Sequence, residues 1–599
     1  MTMSAERVSS QTRVCLWAVG PGTETVAVGE TVGDRYEVIA PHIWKDLTPE
    51  APPQTPESIP EGVLPYLKAH AHRVHVPGVY DVITHKGKAP WILLENAPVN
   101  ERSGELFPTL MERWQSVSSA RQMSWLWQIW QLWQPLSALG VASSLLDLDN
   151  LRVEGWRIRL LTLTPDRQPP KLKDLATAWQ PLTEIARPSI ADSLQNVGSA
   201  VAAGNLPAEQ LTVDLNYLLL KESAQYRPRF RIAGATHPGP NHSRNEDACY
   251  PEGERPEIPT PRIAIVCDGV GGHEAGEVAS QIAVRSLLPQ LQGLLAESGR
   301  EENAVPPDVV AQQIEAAIRV VNDLVNTQND LQSRSDRQRM GTTLVMAVVV
   351  PQRLKTPQGW IQVDELYIAH IGDSRAYWIT PNYCHQLTVD DDIAGREAIA
   401  GRAFYSALRD RPEASSLTQA IGTRGSSYLT PHIQRFTIEE EGVLLLCSDG
   451  LSDNRQIETA WANYIGLIIK DIISLPSAVD SWIELANQKN GHDNVSVVLM
   501  QAKPFLDTAY GAASPEPTAE PEEAAETDLT DASKALLYGE EEATDPEPVS
   551  TEGAPQPTVP RWWILTIALG ILFFAGLAGW WAAGQLTPVP TENEIESIE

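Results

Sequence analysis

The chain has 599 residues and is 42% hydrophobic, enough for three to five units at roughly 100–200 residues each. Its 46 Lys and Arg face 77 Asp and Glu, a formal charge of −31, which argues against phosphate-backbone binding and so against nucleic acid as a partner. Five cysteines, Cys15, Cys249, Cys267, Cys384 and Cys447, contain no Cys-x-x-Cys pair, which excludes a disulfide-stapled scaffold and a cysteine zinc ribbon and suits a reducing compartment.

Residues 1–30 read as a tail. Met1 to Val14 carries Glu6, Arg7 and Arg13 and no apolar segment, so no secretory signal peptide is visible. Residues 31–185 read as a separate unit and 186–225 as a helical connector. Trp114, Trp125, Trp127, Trp130 and Trp133 lie at helical spacing, which suits a helix in a core, a partner groove or a membrane contact. Four strings in this unit, Gly33-Asp-Arg-Tyr-Glu-Val-Ile, Val74-His-Val-Pro-Gly-Val-Tyr-Asp-Val-Ile, Trp91-Ile-Leu-Leu-Glu-Asn-Ala-Pro and Leu148-Asp-Asn-Leu-Arg-Val, resemble the opening strand, a later strand, the hinge and the end of the catalytic loop of a protein kinase. Phosphoryl transfer needs a glycine-rich cradle, a base aspartate and a metal aspartate. No cradle follows Tyr36, the base position falls near Ala142-Ser-Ser or Ser143-Ser-Leu with no Asp, and the metal position falls at Thr162-Leu-Thr. The resemblance therefore implies an α+β pseudokinase-like regulatory domain with a protein partner. An unrelated accessory domain is the other reading.

From residue 226 to 502 the pattern changes. Tyr226 to Ala233 opens as a strand. Arg262 to Cys267, Thr342 to Val350, Glu365 to Ile371, Val443 to Cys447 and Asn494 to Met500 read as strands buried on both faces. Gly276 to Leu295 and Pro307 to Val325 carry helical apolar spacing. Several neighbouring strands have no helix between them, which favours an α/β sandwich of two antiparallel sheets flanked by helices over a doubly wound sheet.

Aspartates recur at the strand ends and in glycine-bounded turns: Asp247 in Asn245-Glu-Asp, Asp268 in Cys267-Asp-Gly-Val-Gly-Gly-His, Asp373 in Gly372-Asp-Ser-Arg, Asp449 in Ser448-Asp-Gly-Leu-Ser-Asp, and Asp493 in Gly491-His-Asp-Asn. Such carboxylates can converge over one sheet edge, where hard oxygen ligands suit Mg²⁺ or Mn²⁺. Two such ions can hold a bridging hydroxide for in-line attack on phosphorus. A single Asp-Gly is only a turn dipeptide. The force lies in the ordered set NEDACY (Asn245 to Tyr250), VCDGVGGHEAGEVAS (Val266 to Ser280), GTT (Gly341 to Thr343), IGDSRAY (Ile371 to Tyr377), LTVDDD (Leu387 to Asp392), LTQAIGT (Leu417 to Thr423), LLLCSDGLSD (Leu444 to Asp453) and HDNVSVVLM (His492 to Met500).

Together these stretches resemble the metal-dependent protein phosphatases of type 2C. The resemblance implies hydrolysis of phosphoserine and phosphothreonine by water, with no phospho-enzyme. It implies Asp247, Asp268, Asp449 and Asp493 as ligands of two Mg²⁺ or Mn²⁺ ions, with the Gly269 carbonyl and with Glu246 holding metal-bound water. It implies Asp373 and Asp453 for a third ion, Asn494 and Ser374 in supporting turns, and Asp390 to Leu417 as a mobile flap. Where the family commonly has a phosphate-clamping arginine, this chain has His242, with Arg244 two residues on. Imidazole does not replace a bidentate guanidinium fork, and His242 reads either as a weaker clamp or as a surface residue. His273 is a candidate general acid.

Residues 503–560 hold 14 Asp and Glu against two Lys and are rich in Pro and Ala, the composition of an extended acidic linker or docking segment. Residues 561–583 read as a transmembrane helix: Trp562 to Ala583 has no charge, tryptophans stand at both ends, and about 20 apolar residues span a ~30 Å hydrocarbon core. Arg561 before it and the acidic tail 584–599 after it favour a cytoplasmic catalytic domain. The expectation is a membrane-anchored, bacterial-type phosphatase that signals through phosphoproteins. A catalytically silent phosphatase-like adaptor that docks phosphoproteins is the alternative, and the ligand aspartates favour the enzyme.

Overall fold

The computed structural model describes residues 14–84, 89–101, 103–255, 261–270, 275–301, 303–335, 338–357, 359–408 and 411–506. The uninterrupted apolar run Leu344 to Val350 opens the strand Leu344–Thr356. Successive side chains on a strand point to opposite faces, and here both faces are covered. Leu344, Met346, Val348 and Val350 pack with the helices Ala275–Ser298 and Pro307–Leu331. Val345, Ala347 and Val349 pack with Ile232, Leu444, Leu446, Val498 and Met500 of a second sheet. Each fully buried Val or Leu contributes roughly 1.5–3 kcal/mol, so the run is apolar throughout.

The first sheet has the order Ala248–Tyr250, Ile263–Cys267, Leu344–Thr356, Gly359–Ile371, His432–Phe436, with every pairing antiparallel. The second runs Gly253–Glu254, Tyr226–His237, Val495–Leu506, Gly442–Cys447, Arg375–Ile379, Cys384–Gln386, again antiparallel throughout. Its outer face is covered by the helices Gln456–Ile469 and Leu475–Lys489, through Ile457, Ile465, Val479 and Trp482. The result is a mixed α/β fold with its core between and outside two face-packed sheets.

The N-terminal residues build a third antiparallel sheet, in the order Thr31–Val32, Tyr36–Ala40, Ile43–Asp46, Cys15–Val19, Trp91–Glu95, Gly78–Ile83. Ser118 caps the helix Ser119–Ala138 by accepting the Arg121 N–H at 3.1 Å. Trp114 and, from this helix, Trp125, Trp127 and Trp133 are buried in the N-terminal core. The helices Pro188–Ala202 and Ala208–Ser223 add Ile190, Leu194, Leu211 and Leu215 to the same core.

This region does not form the separate kinase-like domain that its strings suggest. All described residues belong to one compact unit. Arg121 pairs with Glu439 at 3.1 Å and Glu440 at 3.3 Å. Arg435 lies over the Trp127 ring, 4.1 Å from its centroid, and pairs with buried Glu365 at 2.7 Å. The strings are short strands followed by turns, and many sheet proteins share that pattern. Nor does the membrane reading stand. Among the described residues no helix is long and apolar enough to cross a membrane. Trp562 to Ala583, with the acidic linker beyond Leu506 and the tail, lies outside the described residues. Apolar length is a necessary condition for a span and not a sufficient one. The anchor, the membrane as a partner and the single-pass localisation fall with it.

The segment after Asp391 is held by the N-terminal region. It contains the short helices Ile393–Ile399 and Tyr405–Leu408. Phe404, between them, is fully buried in the N-terminal core. Its N–H donates to Thr55 Oγ1 at 3.1 Å, and Ser406 Oγ donates to the Tyr80 carbonyl at 2.9 Å. The Tyr405 ring has His70 at 4.7 Å between centroids and the Arg73 guanidinium at 5.0 Å.

Candidate metal centre

Each candidate ligand sits where a strand ends. Asp268 follows Ile263–Cys267 and Asp247 precedes Ala248–Tyr250 in the first sheet. Asp449 follows Gly442–Cys447 and Asp493 precedes Val495–Leu506 in the second. One end of the sandwich therefore gathers carboxylates from both sheets. Burial, then repulsion from Asp247, Asp449, Asp373 and Asp493, pushes the Asp268 carboxyl well above the usual carboxylate range. Burial pushes Asp247 up to about 7; a Ser448 hydrogen bond opposes this, and Asp449 and Asp493 reinforce it. Burial, Asp453 and Asp493 push Asp449 up to about 6. Asp373 is raised by burial and then by Asp449 and Asp390, and Glu246 by burial and then by Asp493.

Carboxylates that repel one another in a site this poorly solvated resist ionising together unless cations compensate them. Asp449 Oδ1 is buried with no hydrogen-bond partner among the described residues. A buried acceptor left open in this way costs free energy unless something else occupies it. The donors are all hard oxygens, the set that suits Mg²⁺ or Mn²⁺. The residues present therefore fit a divalent-metal centre.

Two glycines are dictated by contact. A Cβ at Gly269 would lie 2.4 Å from the Glu246 carbonyl oxygen and 2.5 Å from that of Gly276. One at Gly450 would lie 2.0 Å from the Asn494 carbonyl oxygen. Each Asp-Gly pair thus lets a backbone pass where no side chain fits.

The ligand-bearing loops are pinned by polar side chains. Ser448 Oγ donates to Asp247 Oδ2 at 2.8 Å and accepts the Ser496 N–H at 2.9 Å. Asn494 accepts the Glu246 N–H at 2.7 Å and donates to the carbonyls of Pro238 and Arg244 at 2.8 and 3.0 Å. Thr343 Oγ1 accepts the Asp268 N–H at 3.1 Å and lies 2.7 Å from Ser374 Oγ. Ser448 is the supporting residue that sequence reasoning missed. Its signal was its place immediately before the Asp-Gly, at the N-cap position of the helix Asp449–Ser452, where its side chain makes no cap bond and reaches Asp247 instead.

The remaining candidates are less close-knit. His242 is exposed, and its Nε2 lies 2.8 Å from the His492 carbonyl. Arg244 acts on Glu246 electrostatically and puts positive charge beside the carboxylates, with the His242 imidazole nearby. Asp453 Oδ2 pairs with His492 Nε2 at 3.1 Å. His273 lies outside the described residues. A polar cleft of about 930 Å³, between the N-terminal region and residues such as Tyr383, His385 and Arg455, is lined by none of the four aspartates. Carboxylate chemistry, not cavity size, locates this site.

Residues 234–473 match the family model for Protein phosphatase 2C. The serine/threonine phosphatase stp of Listeria welshimeri is 33% identical over 241 residues, 40% of this chain and 84% of the relative. This chain belongs to the protein phosphatase 2C family. It is an enzyme, a protein serine/threonine phosphatase with a two-ion centre of the manganese or magnesium type. The serine/threonine protein phosphatase PstP of Mycobacterium tuberculosis is 28% identical over 288 residues, 48% of this chain and 47% of that protein. A crystal structure of the M. tuberculosis phosphatase PstP/Ppp has 27% identity and a TM-score of 0.34, covering 45% of this chain and 98% of that one. The matched family region begins after residue 185, and nothing in these likenesses supports a kinase-like N-terminal unit.

Proposed function

We propose that residues 226–502 hydrolyse phosphoserine and phosphothreonine in protein substrates, with Asp247, Asp268, Asp449 and Asp493 holding two divalent ions and the Gly269 carbonyl beside them. The observation that carries this reading is the group of buried and half-buried, mutually repelling carboxylates with an open acceptor at Asp449 Oδ1. Two such ions, when bound, polarise phosphoryl oxygens and acidify a water for in-line displacement. The chain's own residues do the rest. Ser448 fixes the direction of the Asp247 carboxylate, and Asn494 holds the Glu246 loop against Asp493. Glu246, at the rim, accepts from water. Arg244 offsets the acidic field that would otherwise repel a phosphate dianion, and His242 offers a ring N–H to it.

The test is phosphate release from a phosphothreonine peptide by the full chain. Metal-stripped protein should be inactive, Mn²⁺ should restore turnover, and EDTA should abolish it. Absence of release with Mn²⁺ bound overturns the reading. His242→Arg should lower KM on that peptide several-fold with little change in kcat, because a planar fork binds phosphate better than imidazole. An unchanged or raised KM removes His242 from phosphate recognition.

A further inference from the structure

Away from the four aspartates, antiparallel register brings two histidines together. His370, next to last in the strand Gly359–Ile371, pairs directly with His432, the first residue of His432–Phe436. Their rings stack, with centroids 4.9 Å apart and planes 19° apart. Asp391 approaches both from the loop that follows the second sheet's edge strand. His432 Nε2 lies 3.0 Å from Asp391 Oδ1. One ligand atom from each of the three side chains lies within 4.8 Å of the other two.

The cluster is held in place by its surroundings. Asp391 Oδ2 accepts the Gly372 N–H at 2.9 Å, and its backbone N–H donates to the Gly372 carbonyl at 3.0 Å. Its own carbonyl accepts the N–H and Oγ1 of Thr418. His370 is 2% exposed, and its Nε2 bonds the Val389 carbonyl at 2.8 Å. A backbone carbonyl on one ring nitrogen is the usual companion of a metal-binding imidazole. A third imidazole, His72 of the N-terminal region, borders His432 closely enough that burial and that ring together disfavour its charged form. Neutral imidazole is the form that binds metal.

We propose that His370, Asp391 and His432 hold one zinc-class transition-metal ion, separate from the all-oxygen centre. Two imidazoles and a carboxylate with a position left open suit Zn²⁺ at roughly 2.0–2.2 Å, not Mg²⁺, which prefers oxygen alone. His432 is the ligand that adjusts, because it opens its strand and its side chain is 37% exposed. The ion replaces the His432–Asp391 hydrogen bond and fixes Asp391 to the edge of the first sheet. It thereby fixes the start of the segment that the N-terminal region grips.

The experiment uses the full chain, stripped with EDTA and reloaded with Zn²⁺. Crystals measured at the zinc edge should show an anomalous peak among these three side chains, and a map without one overturns the proposal. In solution, His432→Ala should bind one equivalent of Zn²⁺ fewer than the parent, whatever zinc the four-aspartate centre takes. An equal count in the two proteins also overturns it. Asp391→Asn, which keeps an acceptor for Gly372, provides a second variant and should weaken binding at this site at least tenfold.

Discussion

Asp449→Asn should lose more activity than the roughly 10–100-fold that removal of an outer metal-site partner costs, and it should do so while folding normally. Asparagine keeps the shape of the side chain and removes its charge. The stability readout is less intuitive. Asp449 is half-buried with its Oδ1 fully enclosed, and its carboxyl is pushed from an ordinary 3.8 to about 6 by desolvation, Asp453 and Asp493. A carboxyl with a raised folded pKa holds its proton in the native state after the unfolded chain has lost it. Native stability of the metal-free protein therefore falls as pH rises from about 4 to about 6, at ~1.4 kcal/mol per pH unit for this group alone. Above pH 6 the loss is complete and constant. Metal-free Asp449→Asn should accordingly melt higher than the metal-free parent at pH 7.5, and the difference should shrink towards pH 4. Mn²⁺ should reverse the order, because the parent gains binding free energy that the variant lacks. Melting curves at pH 4.5 and 7.5, with and without Mn²⁺, check all four corners. A parent more stable than the variant at pH 7.5 without metal would mean that Asp449 is paired rather than repelled.

Residues that act alone or in sequence-local groups were legible before the structure. The doubly buried run at Leu344 needed only its lack of alternation, and each Asp-Gly marked a strand end. Ser448 was harder, because a serine beside an aspartate has many ordinary roles and its bond to Asp247 spans 201 positions. His370, Asp391 and His432 were invisible for the same reason. Only the cross-strand register of His370 with His432 makes them neighbours. The kinase-like reading failed differently: its strings describe a strand and a turn, and local pattern does not specify which sheet a strand joins. The N-terminal Trp helix was legible as a buried helix. Its service to the second half of the chain, through Arg435 over Trp127, was not.

Phe404→Ala should destabilise the protein by about 3–5 kcal/mol, the usual cost of emptying a fully buried phenylalanine site. Nothing in the polar stretch Gly401-Arg-Ala-Phe-Tyr-Ser marks Phe404 as core. Yet it is wholly buried among N-terminal residues, far from it in sequence. The cost should appear in one place first. Thr55, Tyr80, His70 and Arg73 hold Phe404, Ser406 and Tyr405 through backbone-to-side-chain bonds and ring contacts that depend on Phe404 staying seated. Amide hydrogen exchange should therefore quicken across 393–408 before it quickens in Leu344–Thr356, whose protection rests on the two-sheet core. The same segment begins at Asp391, which is bonded to Gly372 beside Asp373. Loosening it should accordingly change KM for a phosphopeptide more than turnover of a small aryl phosphate, which needs no support beyond the carboxylate centre. Uniform loss of protection in both regions would show instead that the N-terminal region and the phosphatase sheets unfold as a single cooperative unit and that the grip on 393–408 has no independent effect.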